Sequence, residues 1–261
     1  MKELFIKDKG NVIKFKFLKW DTAFFGVKSF LLDLKATRIN KIRKGFPRAA
    51  LKAIPPSFIT AKVPLSYPQK FINFLFDIGF RYIDTELILG YVDNKDFPDY
   101  SPTGVSIKGI KLYKAKKIPK DAFLLGREFS FTRFHLDPNI PRRKAELLWE
   151  NFIRNFKLSD MQSLYCAEFK NETIGAIFVK RYLQQDKRIS NLFLVSVKNK
   201  YRNKNIGSRL IQHALKQLVG FSEKIIVETQ ARNLGAVNFY IKNGFLRLYE
   251  ARLVLHRGII K

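Results

Sequence analysis

Tyr240 follows Asn233 by seven residues in ETQARNLGAVNFYIKNGF. At about 100° per residue that is nearly two helical turns, so both side chains project from one side of a helix. Asn233 is a good N-cap for the run behind it, and a neutral tyrosine can give up a proton as well as pack. A second stretch able to do chemistry lies upstream, YRNKNIGSRL at 201–210, between the apolar run NLFLVSV and the periodic run SRLIQHALKQLVG. That order predicts a strand, a turn and a helix. The backbone N–H groups at such a helix start carry partial positive charge and suit a phosphate. Gly207 lets the main chain approach closely. Asn205 stands where phosphate loops usually place a glycine, and asparagine is among the non-glycine residues that best tolerate positive φ. Lys198, Lys200, Arg202, Lys204 and Arg209 surround the turn. By itself the stretch fits a solvated basic turn as well as an anion seat.

Other reactive side chains are sparse. Cys166 is the only cysteine of the 261 residues, so an intramolecular disulfide and a multi-cysteine zinc site are excluded. It falls inside an expected strand and is not expected to be a nucleophile. His135, His213 and His256 show no ligand spacing, and no metal is expected. Lys and Arg number 49 against 22 Asp and Glu, a formal charge of +27. Such a balance favours anionic partners: nucleic acid, a membrane surface or a phosphorylated small molecule. The basic residues are spread over the chain, so charge alone does not choose among them. No apolar stretch approaches the roughly 18 residues needed to span a bilayer. MKELFIKDKG lacks the apolar core of a signal peptide, which leads to the expectation of a cytoplasmic protein.

The elements that must position these residues read as a mixed α/β pattern. Length and 46% apolar content fit one large domain or two small ones. In the second half KLYKAKKI is a strand, KDAFLLGREF a helix, and PRRKAELLWENFIRNF an amphipathic helix opened by Pro141. SLYCAEF and TIGAIFVKR alternate around Lys170-Asn171-Glu172 as a hairpin. NLFLVSV, the basic turn, SRLIQHALKQLV, KIIVETQ, LGAVNFYIKN and LRLYEARLVL follow as strand, turn, helix, strand, helix and strand. Leu210, Ile211, Ala214, Leu215 and Leu218 form the apolar face of the first of those helices. Two stretches are alike: FLFDIGFRYIDTELIL at 74–89 and FYIKNGFLRLYEARLVL at 239–255. Each runs a helix end into Gly-Phe and then an alternating strand, with Gly79 and Gly244 as left-handed helix stops. Between the halves, DNKDFPDYSPTGVSIKG with Pro98, Pro102, Gly104 and Gly109 places a boundary near residue 104, giving domains 1–104 and 105–261.

The order strand, R-x-x-G-x-G turn, helix, strand, N-x-x-A-x-x-x-Y-x-x-x-G-F resembles the GNAT N-acyltransferase superfamily. The turn is Arg202 to Gly207, degenerate at Asn205, and Asn199 stands where the family often has proline. The second motif is Asn233, Ala236, Tyr240, Gly244 and Phe245. Roughly residues 110–261 are covered. WDTAFFGVKS, ITAKVPLSYPQKFINFLFDIGFRYIDTEL and FSFTRFHLDPNIP look further like the dTDP-fucosamine acetyltransferases, in which a smaller, incomplete GNAT-like N-terminal domain precedes the catalytic one. The first half here has no phosphate turn, which fits.

The resemblance implies acetyl-CoA as acyl donor. Its pyrophosphate would sit on the backbone of Arg202, Asn203, Lys204, Asn205, Ile206, Gly207 and Ser208. The pantetheine arm would run along the strand through Val195 to Val197. A backbone N–H at Leu194 or Val195 would polarise the thioester carbonyl. Asn233 would help position the arm, and Tyr240 would be the general acid to the thiolate. The acceptor amine would attack directly. The resemblance implies that the acceptor is the 4-amino group of a nucleotide-linked amino-deoxy sugar, for which a charge of +27 is suitable. A protein N-terminus, a lysine or another small amine is the alternative. A basic nucleic-acid-binding protein on this scaffold is a third reading, supported by no aromatic-rich RNA motif. A homodimer is left open. The general base is not visible: Glu168, Asp137 and Glu228 are candidates, as is a water chain. FTRFHLDP, with Arg133 and Asp137, fits either the acceptor side or a polar connector. Trp20-Asp21 and Phe24-Phe25-Gly26 shape a cleft or, as favoured here, anchor the N-terminal domain.

Overall fold

Alternating apolar residues drive strand formation in both halves of the chain. The computed structural model describes residues 3–8, 11–37, 53–92 and 107–260. The expected boundary near residue 104 lies outside the described residues. The chain packs as two units. The first comprises residues 1–86, 132–145 and 250–261; the second comprises 87–131 and 146–249.

In the first unit the strand order is β1 (Glu3–Asp8), β2 (Asn11–Phe17), β3 (Ser29–Leu32), β4 (Phe58–Pro64) and the Glu250–Arg257 part of β11 (Arg247–Arg257). β3 and β4 are parallel; β1–β2, β2–β3 and β4–β11 are antiparallel. Phe15, Phe30, Ile59, Ala61 and Val63 pack with Phe71, Ile72, Phe74 and Leu75 of α2 (Gln69–Asp77). Burying each such side chain contributes about 1.5–3 kcal/mol, an upper range for a compact denatured state. On α1 (Lys19–Phe25), Trp20 stacks on Phe24. Phe25 meets Phe58 and also Phe134 of the short α3 (Arg133–Leu136), so the aromatic cluster anchors this unit.

The second unit orders the end of β5 (Arg81–Gly90), then β10 (Lys224–Gln230), β9 (Lys187–Val197), β8 (Glu172–Gln184), β7 (Gln162–Phe169) and β6 (Lys111–Lys114). The β7–β8 hairpin turns on Lys170 and Asn171, at φ 49 and 60, a two-residue loop whose left-handed backbone suits the sheet twist. The β8–β9 turn does the same at Gln185 and Asp186, φ 51 and 58, so both strands are longer than the apolar runs suggested. α5 (Ile206–Leu218) buries Leu210, Ile211, Ala214, Leu215 and Leu218, the five residues of its expected face. α4 (Arg142–Arg154) and a 3-10 helix, Ala122–Glu128, lie among the residues that pack with Phe178 and Leu194. The α-helix expected for KDAFLLGREF is thus a 3-10 helix. A Cβ on Gly126 would lie 2.3 Å from the Glu150 nitrogen, so the backbones there approach more closely than side chains would permit.

The repeated helix–Gly–Phe–strand unit is built alike in both places. Gly79 has φ 86 and Gly244 φ 87. The Phe80 N–H donates to Leu75 O at 3.0 Å and the Phe245 N–H to Tyr240 O at 3.1 Å, the bond that closes a helix through a left-handed residue.

Candidate active site

The site is built where β9 and β10 part. Their parallel ladder runs from Lys224 opposite Ile189 to Val227 opposite Leu192, and β9 continues to Val197. Just past the ladder, the β8–β9 register shifts: Phe178 faces Leu194 and Val179 faces Leu192, leaving Phe193 as a bulge. Bulges bend a strand and end pairing. Beyond the bulge the Lys198 N–H donates to Ile174 O on β8 at 2.9 Å. Because N–H groups alternate sides along a strand, Ser196 and Leu194 also point their N–H groups toward β8. Val195 and Val197 point theirs to the opposite edge. Of the two expected oxyanion donors, Val195 therefore presents its N–H on the unpaired edge and Leu194 does not.

The turn after β9 leads to the start of α5. Asn203 has φ 59, and Asn205 has φ 58 and ψ 6, the left-handed region expected of it. The Asn205 side chain does not cap α5, and its Nδ2 is buried with no hydrogen-bond partner among the described residues. An uncapped helix start beside an orphaned amide donor is a set of converging N–H groups, which fits a diphosphate. The cationic side chains are mostly tied to the protein. Arg202 donates from Nε to Val197 O at 3.0 Å and from Nη2 to Glu128 O at 3.0 Å and Glu128 Oε2 at 3.2 Å. Lys198, Lys200 and the Tyr201 hydroxyl all donate to Glu172, at 2.8, 3.0 and 3.0 Å. The bonds from Lys198 and Lys200 hold the Glu172 carboxyl down at about 2. Lys204 donates to Lys200 O at 3.0 Å. These bonds fix the shape of the turn and leave its backbone to meet an anion.

Gly207 also serves packing. A Cβ there would stand 2.9 Å from the Phe239 ring, so the glycine serves the packing of α5 on α6 (Leu234–Lys242). Asn233 caps α6, its Oδ1 accepting from the Ala236 N–H at 3.2 Å. Its amide NH2 is not used by this cap and can meet a ligand. Tyr240 is 7% exposed and packs against Phe239 and Phe245. Burial pushes its phenol well above the ordinary range, so it is protonated at any working pH.

The three candidate bases separate. Asp137 belongs to the first unit, where its Oδ2 meets His256 Nδ1 at 2.8 Å and its Oδ1 accepts from the Asn139 N–H at 2.9 Å. Burial raises its carboxyl, but those bonds outweigh it and hold the group below its usual range. Glu168 lies on β7 and accepts from the Tyr113 hydroxyl at 3.2 Å. Glu228 follows the last paired residue of β10, and its Oε1 accepts from Asn191 Nδ2 of β9 at 2.8 Å. Cys166 is fully buried and its thiol is pushed up to about 12 by burial, which rules out a nucleophile. Among the described residues no helix is long and apolar enough to cross a membrane, and no group of His, Cys, Asp and Glu could hold a metal. Sequence reasoning overlooked Asn191, Glu128 and Glu172. Asn191 was detectable as the one polar residue opening an apolar strand. The two glutamates bind partners distant in sequence.

Residues 128–245 match the Acetyltransferase (GNAT) family. This stretch, which holds the fork, the turn and Tyr240, is similar to that family. Over 98 residues the chain is 31% identical to N-alpha-acetyltransferase 30 of Xenopus laevis, a match covering 37% of this chain and 34% of that protein. The chain thus spans about a third of that relative's length. The fold is similar to a GCN5-related N-acetyltransferase from Sphaerobacter thermophilus, at 11% identity over 97% of this chain and 81% of that one, TM-score 0.56. It is also similar to a tandem GNAT protein from the clavulanic acid biosynthesis pathway, at 14% identity over 95% and 78%, TM-score 0.56.

Proposed function

We propose that this protein transfers an acetyl group from acetyl-CoA to the nitrogen of an amine, most specifically the 4-amino group of a nucleotide-linked amino-deoxy sugar. The observation that carries the proposal is the uncapped start of α5, with left-handed Asn205 and its orphaned amide, at the mouth of the β9–β10 fork. The N–H groups of Ile206, Gly207 and Ser208 and the Asn205 amide would hold the diphosphate. The unpaired edge of β9 at Val195 would pair with the pantetheine arm. The Val197 carbonyl is already occupied by Arg202. The bound thioester supplies an activated acetyl group. Tyr240, kept neutral by burial, holds the proton that a departing thiolate needs.

The sugar acceptor is supported by the resemblance of WDTAFFGVKS and FSFTRFHLDPNIP to the dTDP-fucosamine acetyltransferases, and by the charge of +27 facing a diphosphate. On that reading residues 1–104 are an incomplete GNAT-like copy and 105–261 the catalytic copy. The shared helix stops at Gly79 and Gly244 and the tandem GNAT protein spanning 95% of this chain speak for it. A second acceptor, the α-amine of a protein or peptide, is favoured by the 31% identity to an N-alpha-acetyltransferase.

A turnover screen decides the matter. Coenzyme A release is followed with nucleotide-linked 4-amino sugars, peptides with free N-termini and polyamines. Turnover with the sugars alone supports the first acceptor, and turnover with the peptides alone the second. A protein that binds no acetyl-CoA, yet binds DNA or RNA with steep salt dependence, would overturn acetyl transfer.

A further inference from the structure

One face of the fork is filled: Leu192, Ile225 and Val227 pack there with Leu210, Ile211 and Leu215 of α5. On the acetyl-transfer reading an acceptor therefore reaches the fork from the other face. The bulge at Phe193 shapes that face. Side chains alternate along a regular strand, yet the consecutive Phe193 and Leu194 both join the cluster around Phe178. Re-aiming a side chain is what a bulge does. The Phe193 ring is then held by Phe152, Phe156 and Phe178, at 5.7, 6.0 and 6.3 Å between ring centres.

Lys180 of β8 points to the same face, because it lies opposite Asn191, two residues before Phe193 on β9. Its ammonium stands 4.4 Å from the Phe193 ring centre and 5.5 Å from that of Phe152. The rings attract its charge without using up its three N–H groups. Among the described residues it makes no hydrogen bond and no ion pair. The cations of the turn differ: Lys198 and Lys200 are tied to Glu172, and Arg202 to Glu128. Burial lowers the Lys180 pKa, and the negative charge of Glu228 opposes that shift. The ammonium is thus fixed in place, half-buried and able to take an anion.

We infer that Lys180 selects the acceptor by holding its phosphate. This rests on the proposed transfer to a nucleotide-linked amino sugar. In such a sugar the amine on C4 and the phosphate on C1 stand at opposite ends of one pyranose ring. β8 lies about 4.8 Å to the side of β9. With the amine at the fork between β9 and β10, the ring crosses β9 and the phosphate arrives over β8, where Lys180 stands. Phosphate oxygens accept from the ammonium, a compact point charge that needs no planar match. A half-buried charge is screened less than an exposed one, so this contact discriminates where the scattered surface charge of the chain does not. Lys180 makes and breaks no bond in the reaction. It sets the affinity for the acceptor and leaves the rate of transfer to other groups.

The test compares two acceptors, a nucleotide-linked 4-amino-4,6-dideoxyhexose and the methyl glycoside of the same amino sugar, which carries no phosphate. Coenzyme A release gives kcat and KM for each. The unaltered protein should prefer the nucleotide-linked sugar in kcat/KM by about tenfold or more. Lys180→Met keeps an unbranched side chain on the rings and removes the charge. It should raise KM for the nucleotide-linked sugar by about tenfold or more, with kcat, KM for the glycoside and acetyl-CoA affinity within about threefold. Lys180→Arg keeps the charge and should keep the preference. Added salt should raise KM for the nucleotide-linked sugar in the unaltered protein and do so less in Lys180→Met. If Lys180→Met leaves both KM values unchanged, or raises the two equally, the phosphate seat is overturned and acetyl transfer stands. An unaltered protein that acetylates peptides but not the nucleotide-linked sugar overturns the sugar acceptor, and the role of Lys180 with it.

Discussion

Replacing Tyr240 with Phe removes one oxygen from a ring held between Phe239 and Phe245. The packing is left as it was, because the ring is 7% exposed and stays in place. Losing one hydroxyl while the ring packing is kept should change stability by about 1 kcal/mol or less. Acetyl-CoA affinity, which on the proposed reading rests on the α5 N-terminus and the β9 edge, should be unaltered. Turnover is another matter. A positioned general acid contributes about 10²–10⁴-fold, which at 1.36 kcal/mol per factor of ten is about 2.7–5.4 kcal/mol of barrier. The variant should therefore separate three quantities that a packing role would move together. Urea unfolding reads the first, calorimetric titration of acetyl-CoA the second, and coenzyme A release with a saturating amine the third. Turnover within about threefold of the unaltered protein refutes Tyr240 as the acid. A fall in turnover matched by a fall in stability would instead assign it to the core.

Asn205→Val forces a β-branched residue into φ 58, at a cost of at least about 1–2 kcal/mol, so acetyl-CoA should bind about tenfold more weakly or worse. Asn205→Gly keeps the conformation and loses only the amide, so its affinity should fall less; equal losses in the two variants by calorimetry would deny the backbone argument. In Gly126→Ala the new Cβ would meet the Glu150 backbone, and urea unfolding should show a loss of about 1–3 kcal/mol or more. His256 is fully buried, and burial pushes its imidazole down to about 4 despite the Asp137 carboxylate, from an ordinary 6.5. The unfolded chain then binds more protons between those two values. Stability should fall as pH drops from about 6.5 to 4, by about 3 kcal/mol in total. Trp20 fluorescence in urea titrations across that range tests this, and a His256→Gln variant with the same slope would reject it.

What could be read from the sequence and what could not divide along a physical line. The face of α5, the Lys170-Asn171 turn, the left-handed Asn205 and the stops at Gly79 and Gly244 are local: each follows from periodicity or from the φ a residue tolerates. The Gln185-Asp186 turn escaped because Gln185 rarely takes positive φ and no glycine marks the turn, although the sheet imposes it on both residues. The bulge at Phe193 left no trace, because a bulge is a property of two strands and not of one. Nor could the 3-10 form of Ala122–Glu128 be foreseen, and its close approach at Gly126 to the Glu150 backbone is a contact between segments distant in sequence. The same reasoning explains why the base could not be chosen. Glu168, Asp137 and Glu228 are equally plain carboxylates in one dimension. The surroundings of Glu228 come from a parallel register that sets it diagonally beyond Asn191, 37 residues away in sequence, at the point where two strands part. Parallel pairing is non-local by construction. The residues that line a gap between two parallel strands are therefore the last a sequence can disclose.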